Sequence, residues 1–158
     1  MTVRNRDKIT DMEVKYRVIY GDTDTGGVMY YGSYLRLFEI GRTELLRAKG
    51  ITYREIEERE GLILPVVEVY LRYKAPAFYD DLLTIHTTLS EVKPYRICFD
   101  YEIRREAKLL VQGYTVHVPV TRQGRLTRFP RPLYQQLLSI CRGSVRKIRD
   151  GNEHPTKT

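Results

Sequence analysis

Beyond Gly61 the hydrophobic period of the chain changes from helical to two, and it stays at two through most of the remaining residues. Val67, Val69, Leu71 and Tyr73 alternate with Glu68, Tyr70, Arg72 and Lys74, and Leu83, Ile85, Thr87 and Leu89 repeat the pattern. Ile97, Phe99, Tyr101 and Ile103 do so again, and Leu110, Tyr114, Val116, Val118 and Val120 carry a further run. Successive side chains of a strand point to opposite faces, so each run reads as a strand with one buried face. The separators, KAPAFYDD and KPY among them, are short and rich in turn formers. Short connections between successive strands predict a mostly antiparallel sheet. A fifth long strand precedes them: Val14, Tyr16, Val18 and Tyr20 are apolar or aromatic, with Lys15 and Arg17 between. A sixth, short one is expected around Leu126 to Phe129.

Between the first strand and the other four lies one long helical pattern. Tyr34, Leu37, Phe38, Gly41, Leu45 and Ala48 recur at helical spacing until Gly50, and Ser33 stands where an N-cap is expected. About 16 residues at 1.5 Å each make a helix of roughly 24 Å. Gly41 on its apolar face costs about 1 kcal/mol against alanine, which points to close packing against the sheet. TYREIEERE, with capping-box spacing from Thr52 to Glu55, predicts a short second helix ending at Gly61, and RPLYQQLLSICRG predicts a third. One long apolar helix against one large sheet is an α+β layer. Its open edges favour pairing with a second copy.

The 158 residues suit one domain with one core, expected over residues 1–143, followed by a basic, disordered tail over 144–158. No apolar run approaches the roughly 18 residues of a membrane span, and MTVRNRDKITDMEV holds no apolar signal core, so the cytoplasm is the expected compartment. Cys98 and Cys141 match no metal or redox spacing, and His86, His117 and His154 are too dispersed for a metal site. The net charge of +7 favours an anionic partner. Much of it lies near the ends, at Arg4, Arg6, Lys8, Arg142, Arg146, Lys147 and Arg149, and no ladder of aromatic and basic residues indicates nucleic acid.

The chemistry concentrates ahead of the long helix, in YGDTDTGGVMYYGSY from Tyr20 to Tyr34. Gly21 and Gly26 have phosphate-loop spacing, but Gly27 and Val28 stand where lysine and serine or threonine are required. A calcium loop fails at its twelfth place, which is Ser33. Asp24-Thr25-Gly26 is also the triplet of aspartic proteases, an all-β architecture that the following helix contradicts. There remains a chain that bends through Gly26 and Gly27 and presents backbone N–H groups, with the positive end of a helix dipole, to a developing oxyanion. An aspartate just upstream would then be nucleophile or general base. The competing account has Asp22 and Asp24 only forming Asx-turns that cap the loop.

The stretch from Tyr20 to Arg47, supported by YKAPAFYDDLLTIHT from Tyr73 to Thr87, resembles the hotdog-fold acyl-CoA thioesterases of the 4-hydroxybenzoyl-CoA thioesterase class, including the bacterial Tol-Pal-associated branch. The similarity covers most of Val14 to about Arg142. It implies a hotdog fold, in which a curved antiparallel sheet of five to six strands wraps a central helix, and a homodimer joined sheet edge to edge, often paired again into a tetramer. It further implies an active site at the dimer interface with Asp24 as the catalytic carboxylate and the Tyr31 backbone N–H polarising the thioester carbonyl. Asp22 would shape the loop with Gly26 and Gly27, Tyr34 would line the acyl pocket, and Lys93 and Arg96 in EVKPYR would meet coenzyme A. CoA enters as part of the substrate, and neither a separate cofactor nor a metal is expected. Many acyl-CoA members carry histidine at the place of Tyr31, whereas the hydroxybenzoyl branch carries tyrosine. With no tryptophan in the chain, a general acyl-CoA thioesterase is the expected activity. The alternative is a noncatalytic acyl-CoA or acyl-carrier-protein binding module on the same scaffold.

Overall fold

The computed structural model describes residues 11–141. The tail over 144–158 and the basic residues of both chain ends lie outside them. Five strands, β1 (Asp11–Arg17), β3 (Val66–Tyr73), β4 (Leu82–Lys93), β5 (Arg96–Arg105) and β6 (Lys108–His117), form one sheet in the order β1-β4-β5-β6-β3. Every pairing in it is antiparallel. The meander β4-β5-β6 follows from its two short turns, while β3 crosses to the far edge and pairs with β6. Two short strands, β2 (Leu62–Ile63) and β7 (Val120–Thr121), pair separately.

The alternation sorts residues as the period-two reading requires. Leu83, Ile85 and Leu89 of β4 and Phe99, Tyr101 and Ile103 of β5 are fully buried. They pack with Leu37, Phe38 and Leu45 of α1 (Ser33–Ala48), and the Phe38 and Tyr101 rings stack at 4.0 Å. The helix comes unusually close: a Cβ on Gly41 would lie 2.2 Å from Thr87 Oγ1 and 3.0 Å from Ile85 Cγ2. The packing motive expected for this glycine is therefore present. Helix α2 (Tyr53–Glu60) starts at Thr52, whose hydroxyl accepts from the Glu55 N–H at 3.2 Å, and ends at left-handed Gly61. Helix α3 (Arg131–Ile140) buries Leu133, Leu137 and Ile140 and packs on β4.

Several local expectations change. β1 stops at Arg17 rather than Tyr20, because Tyr20–Asp22 turn into a 3-10 helix whose Asp22 carboxylate accepts from the Ile19 N–H. Gly32, not Ser33, occupies the N-cap of α1; Ser33 is the first helical residue and its hydroxyl donates to the Asp22 carbonyl at 3.3 Å. Leu126 makes only an isolated bridge to Val120, so no strand forms over Leu126 to Phe129.

A polar chain crosses the core. Tyr101 Oη lies 2.6 Å from Thr115 Oγ1, which lies 2.8 Å from His117 Nε2, and His117 Nδ1 lies 3.1 Å from the Leu64 carbonyl. That carbonyl can only accept, so Nδ1 carries the proton, Nε2 accepts from Thr115, and Thr115 accepts from Tyr101. One neutral tautomer satisfies every group. Burial pushes His117 down to about 4, and the Arg42 charge acts in the same direction.

Two outcomes are expected. Gly41→Ala should destabilise by about 1 kcal/mol, since overpacking costs roughly 1–3 kcal/mol against a helix-propensity gain of about 1. Pairing it with Thr87→Ala, which removes the colliding and otherwise unpartnered Oγ1, should recover part of that loss in a double-mutant cycle of urea midpoints. Second, the unfolded chain takes up the His117 proton below about pH 6.5 and the folded one only near 4, so stability should fall as pH drops through that window. The shift corresponds to about 3 kcal/mol at most. The slope between pH 6.5 and 5 should flatten in His117→Asn; an unchanged slope would show that other groups carry it.

Candidate active site

The acidic loop is anchored before it is chemical. Asp22 is fully buried, and its carboxylate accepts from the Tyr16 hydroxyl at 2.8 Å, from the Ile19 N–H at 3.0 Å and from the Arg36 guanidinium. Its backbone carbonyl accepts from the Tyr30 N–H at 2.6 Å, Thr23 bridges Met29, and the Asp24 N–H donates to the Val28 carbonyl at 2.9 Å. Residues 22–30 thus form a small hairpin. It closes through Gly27, whose φ of +79° lies in the left-handed region that glycine enters without a Cβ clash. Its returning arm is held by the Met29 N–H on the Ala77 carbonyl at 2.8 Å and by a Val28 to Phe78 bridge.

Asp24 sits near the hairpin tip and is exposed. Its Oδ1 accepts from the Gly26 N–H at 2.8 Å, an Asx-turn, and among the described residues no donor engages Oδ2. A Cβ on Gly26 would crowd that Oδ1 at 3.1 Å. The two aspartates therefore differ completely in surroundings: one is enclosed and paired, the other is open with a free carboxylate oxygen.

Tyr31 immediately precedes the N-cap of α1. Neither its N–H nor that of Gly32 meets an acceptor among the described residues. The Tyr31 side chain is 63% exposed, and its ring lies 4.4 Å from that of Tyr30. Tyr31, Met29, Tyr34, Tyr73, Lys74, Ala75 and Pro76 line a cleft of about 300 Å³. Tyr34 is almost fully buried, meets Tyr73 edge-on at 5.6 Å, and has its phenol pushed up chiefly by burial. It is at once cleft wall and core. Asp24 faces Val28 across the hairpin, and the arm runs on from Val28 to Tyr31, roughly 10 Å at strand rise. An aspartate side chain, an attack distance near 3 Å and a hydrogen bond from the carbonyl oxygen together span about that gap.

Lys93 and Arg96 stand elsewhere. Both flank the β4-β5 turn and face Glu91, at 3.9 and 3.0 Å. The twelve residues of β4 put that turn roughly 35–40 Å from the Asp24 end of the same chain. Pro94 of this turn borders a cleft of about 400 Å³ with Arg128, Phe129, Arg131 and Tyr134, and the Arg128 guanidinium sits 5.2 Å over the Tyr95 ring. These arginines, like Tyr73 and Arg36, escaped the sequence reading because nothing in their local spacing marks them. Among the described residues no three His, Cys, Asp or Glu side chains gather as a metal site, no disulfide links Cys98 to Cys141, and no helix is long and apolar enough to cross a membrane.

Known proteins share this fold. Residues 18–137 match the family described as the thioesterase-like superfamily. The chain is 38% identical over 117 residues to the acyl-CoA thioesterase YbgC of Haemophilus influenzae, covering 73% of this chain and 85% of that one. It is 31% identical to a putative esterase of Aquifex aeolicus, covering 77% and 93% of the two chains. A probable thioesterase from Bartonella henselae superposes with a TM-score of 0.73 at 31% identity, over 76% of this chain and 99% of that one. With a hotdog architecture and a family match over residues 18–137, most of its length, the chain belongs to the thioesterase-like superfamily.

Proposed function

We propose that the protein hydrolyses an acyl-CoA thioester to the free carboxylic acid and CoA, with Asp24 as nucleophile or as the base that activates water, and the Tyr31 N–H as oxyanion donor. The observation that carries this reading is an exposed Asp24 with its Oδ2 free, on a hairpin whose returning arm runs through Met29 to the unpaired Tyr31 N–H, where Met29 and Tyr31 line the cleft. A thioester carbonyl lacks amide resonance, so one carboxylate and a preorganised oxyanion site supply what attack requires. The open helix start adds the positive end of its dipole where charge develops.

The proposal includes a homodimer, with a dimer of dimers as the further assembly. β3 is the outer edge of the sheet, and Val66, Val67 and Val69 along it are exposed apolar residues. A long apolar edge strand is a template for pairing. Its Tyr73 end lies beside the cleft, while its Val66 end pairs with His117, which also pairs with Ile97 next to the β4-β5 turn. Antiparallel pairing of two β3 edges would bring each cleft toward the partner's β4-β5 turn. In that arrangement Lys93 and Arg96 of the partner subunit, with Arg128 and Arg131 from the neighbouring cleft, meet the phosphates of CoA. The cytoplasm is the proposed location. The cleft walls combine aromatic and small apolar side chains with Lys74 at the rim, and a general acyl-CoA substrate fits them.

Asp24→Asn should keep the fold, because the asparagine oxygen can still accept from the Gly26 N–H, yet lose about 10²–10⁴-fold in kcat/KM. Thiol release across short, long and aromatic acyl-CoAs measures this; an unchanged rate would sink the assignment, and tight CoA binding without any thiol release would favour the noncatalytic module instead. Tyr31→His should stay within about tenfold of the unsubstituted chain, since losing an oxyanion donor outright costs about 10²–10³ and the donor here is backbone. Complete loss would show that the phenol itself is needed.

A further inference from the structure

The strongest unassigned contact at the cleft runs between two residues 42 positions apart: the Tyr73 hydroxyl donates to the Tyr31 carbonyl at 2.9 Å. Tyr73 closes β3, and its ring is set by the edge-on contact with buried Tyr34. Burial, and then the neighbouring Tyr31 phenol, push the Tyr73 phenol upward, so it stays a protonated donor at neutral pH.

Peptide geometry gives this contact its consequence. In a trans peptide the C=O and the following N–H point in opposite directions. The Tyr30 carbonyl accepts from the Ser33 N–H at 2.9 Å, which turns the Tyr31 N–H the other way. The Tyr31 carbonyl accepts from Tyr73, which does the same for the Gly32 N–H. Two successive N–H groups are thereby left unpaired, each aimed by an anchored carbonyl, an arrangement suited to binding an anion. The Tyr31 ring is mostly exposed and rests on the Tyr30 ring, itself exposed, so the backbone hydrogen bonds carry the positioning. Gly32 adds a steric reason for the segment's path: a Cβ there would meet the Tyr30 ring at 2.7 Å.

We propose that Tyr73 is a positioning residue, its hydroxyl clamping the Tyr31 carbonyl so that the Tyr31 and Gly32 N–H groups stay aimed at the oxyanion. The proposal rests on the thioesterase reading and extends it to a second donor and to the group that orients both. The hydroxyl works through the backbone and not on substrate, while the ring remains a wall of the cleft.

Tyr73→Phe separates the two roles, since it keeps the ring and removes only the oxygen. In acyl-CoA hydrolysis it should lower kcat by about 10- to 100-fold, part of what a lost oxyanion donor costs, with KM within about twofold and an unchanged melting temperature. Tyr73→Leu, which also removes the wall, should raise KM as well. In the same samples, backbone 15N relaxation should show lower order at Tyr31 and Gly32 in Tyr73→Phe and unchanged order at Asp24. An unaltered kcat, or amides as ordered as in the unsubstituted chain, overturns the clamp while leaving the thioesterase reading to the Asp24→Asn result. Failure of the unsubstituted chain to release thiol overturns the thioesterase reading, and the relaxation data then decide the clamp independently.

Discussion

A buried carboxylate is costly unless its oxygens are filled, and Asp22 meets that requirement by drawing three separate parts of the chain to one point. Tyr16 comes from β1, Ile19 from the turn after it, and Arg36 from the first turn of α1. The backbone of the same residue takes the Tyr30 N–H and the Ser33 hydroxyl. Removing Asp22 would release the exit of β1, the return of the acidic hairpin and the entry of α1 together. The Arg36 side chain is half exposed, so the pair escapes much of the desolvation that makes fully enclosed ion pairs a poor source of stability. What the pair contributes most is geometry: it sets where α1 begins, and the start of α1 is where the proposed oxyanion site lies.

The helix can hold that start still because the rest of it cannot slide. Gly41 lets α1 descend onto Ile85 and Thr87, and Phe38 stacks on Tyr101 two strands in from the β1 edge. Close-packed interiors transmit displacement instead of absorbing it, so a shift of the helix along the sheet would have to break both contacts. Tyr73 joins the same frame from the opposite edge, where β3 ends. The free N–H groups at Tyr31 and Gly32 thus lie between two anchored points, buried Asp22 on one side and the Tyr73 hydroxyl on the Tyr31 carbonyl on the other.

Periodicity made the sheet and the long helix legible in the bare sequence, because burial on one face leaves a mark at every second or every third to fourth residue. Gly41 was legible as a packing glycine for the same reason: it interrupts an otherwise good helical stripe. The division of labour between Asp22 and Asp24 came only with the family resemblance, since two aspartates so close in the chain are chemically alike until burial separates them. Ser33 misled because a hydroxyl at a helix start usually caps the backbone; here the Asp22 carbonyl, eleven residues away in sequence, takes its hydrogen bond. The link from Tyr73 to Tyr31 and the basic cleft of Arg128 and Arg131 arise from topology. β3 crosses to the far edge and α3 returns to the sheet, and neither event leaves a local signal in residue spacing.

The distance between the carboxylate end and the basic end of one chain bears on why such a fold would work in pairs. One protomer holds Asp24 and its N–H groups at one end of the sheet, and Lys93, Arg96, Arg128 and Arg131 near the other, roughly the length of β4 away. A CoA thioester is an extended molecule with a neutral reacting carbonyl at one end and phosphates at the other, and charge steering acts on the phosphates. If the basic groups lay beside Asp24, they would compete for its carboxylate and weaken the base or nucleophile, since a close cation lowers a carboxylate's proton affinity and with it its basicity. Separating them within the chain keeps Asp24 unpaired. In the proposed dimer, antiparallel pairing through β3 would bring the partner's basic end toward the cleft, so that covering an exposed apolar edge and joining the two halves of the proposed substrate site would be one event.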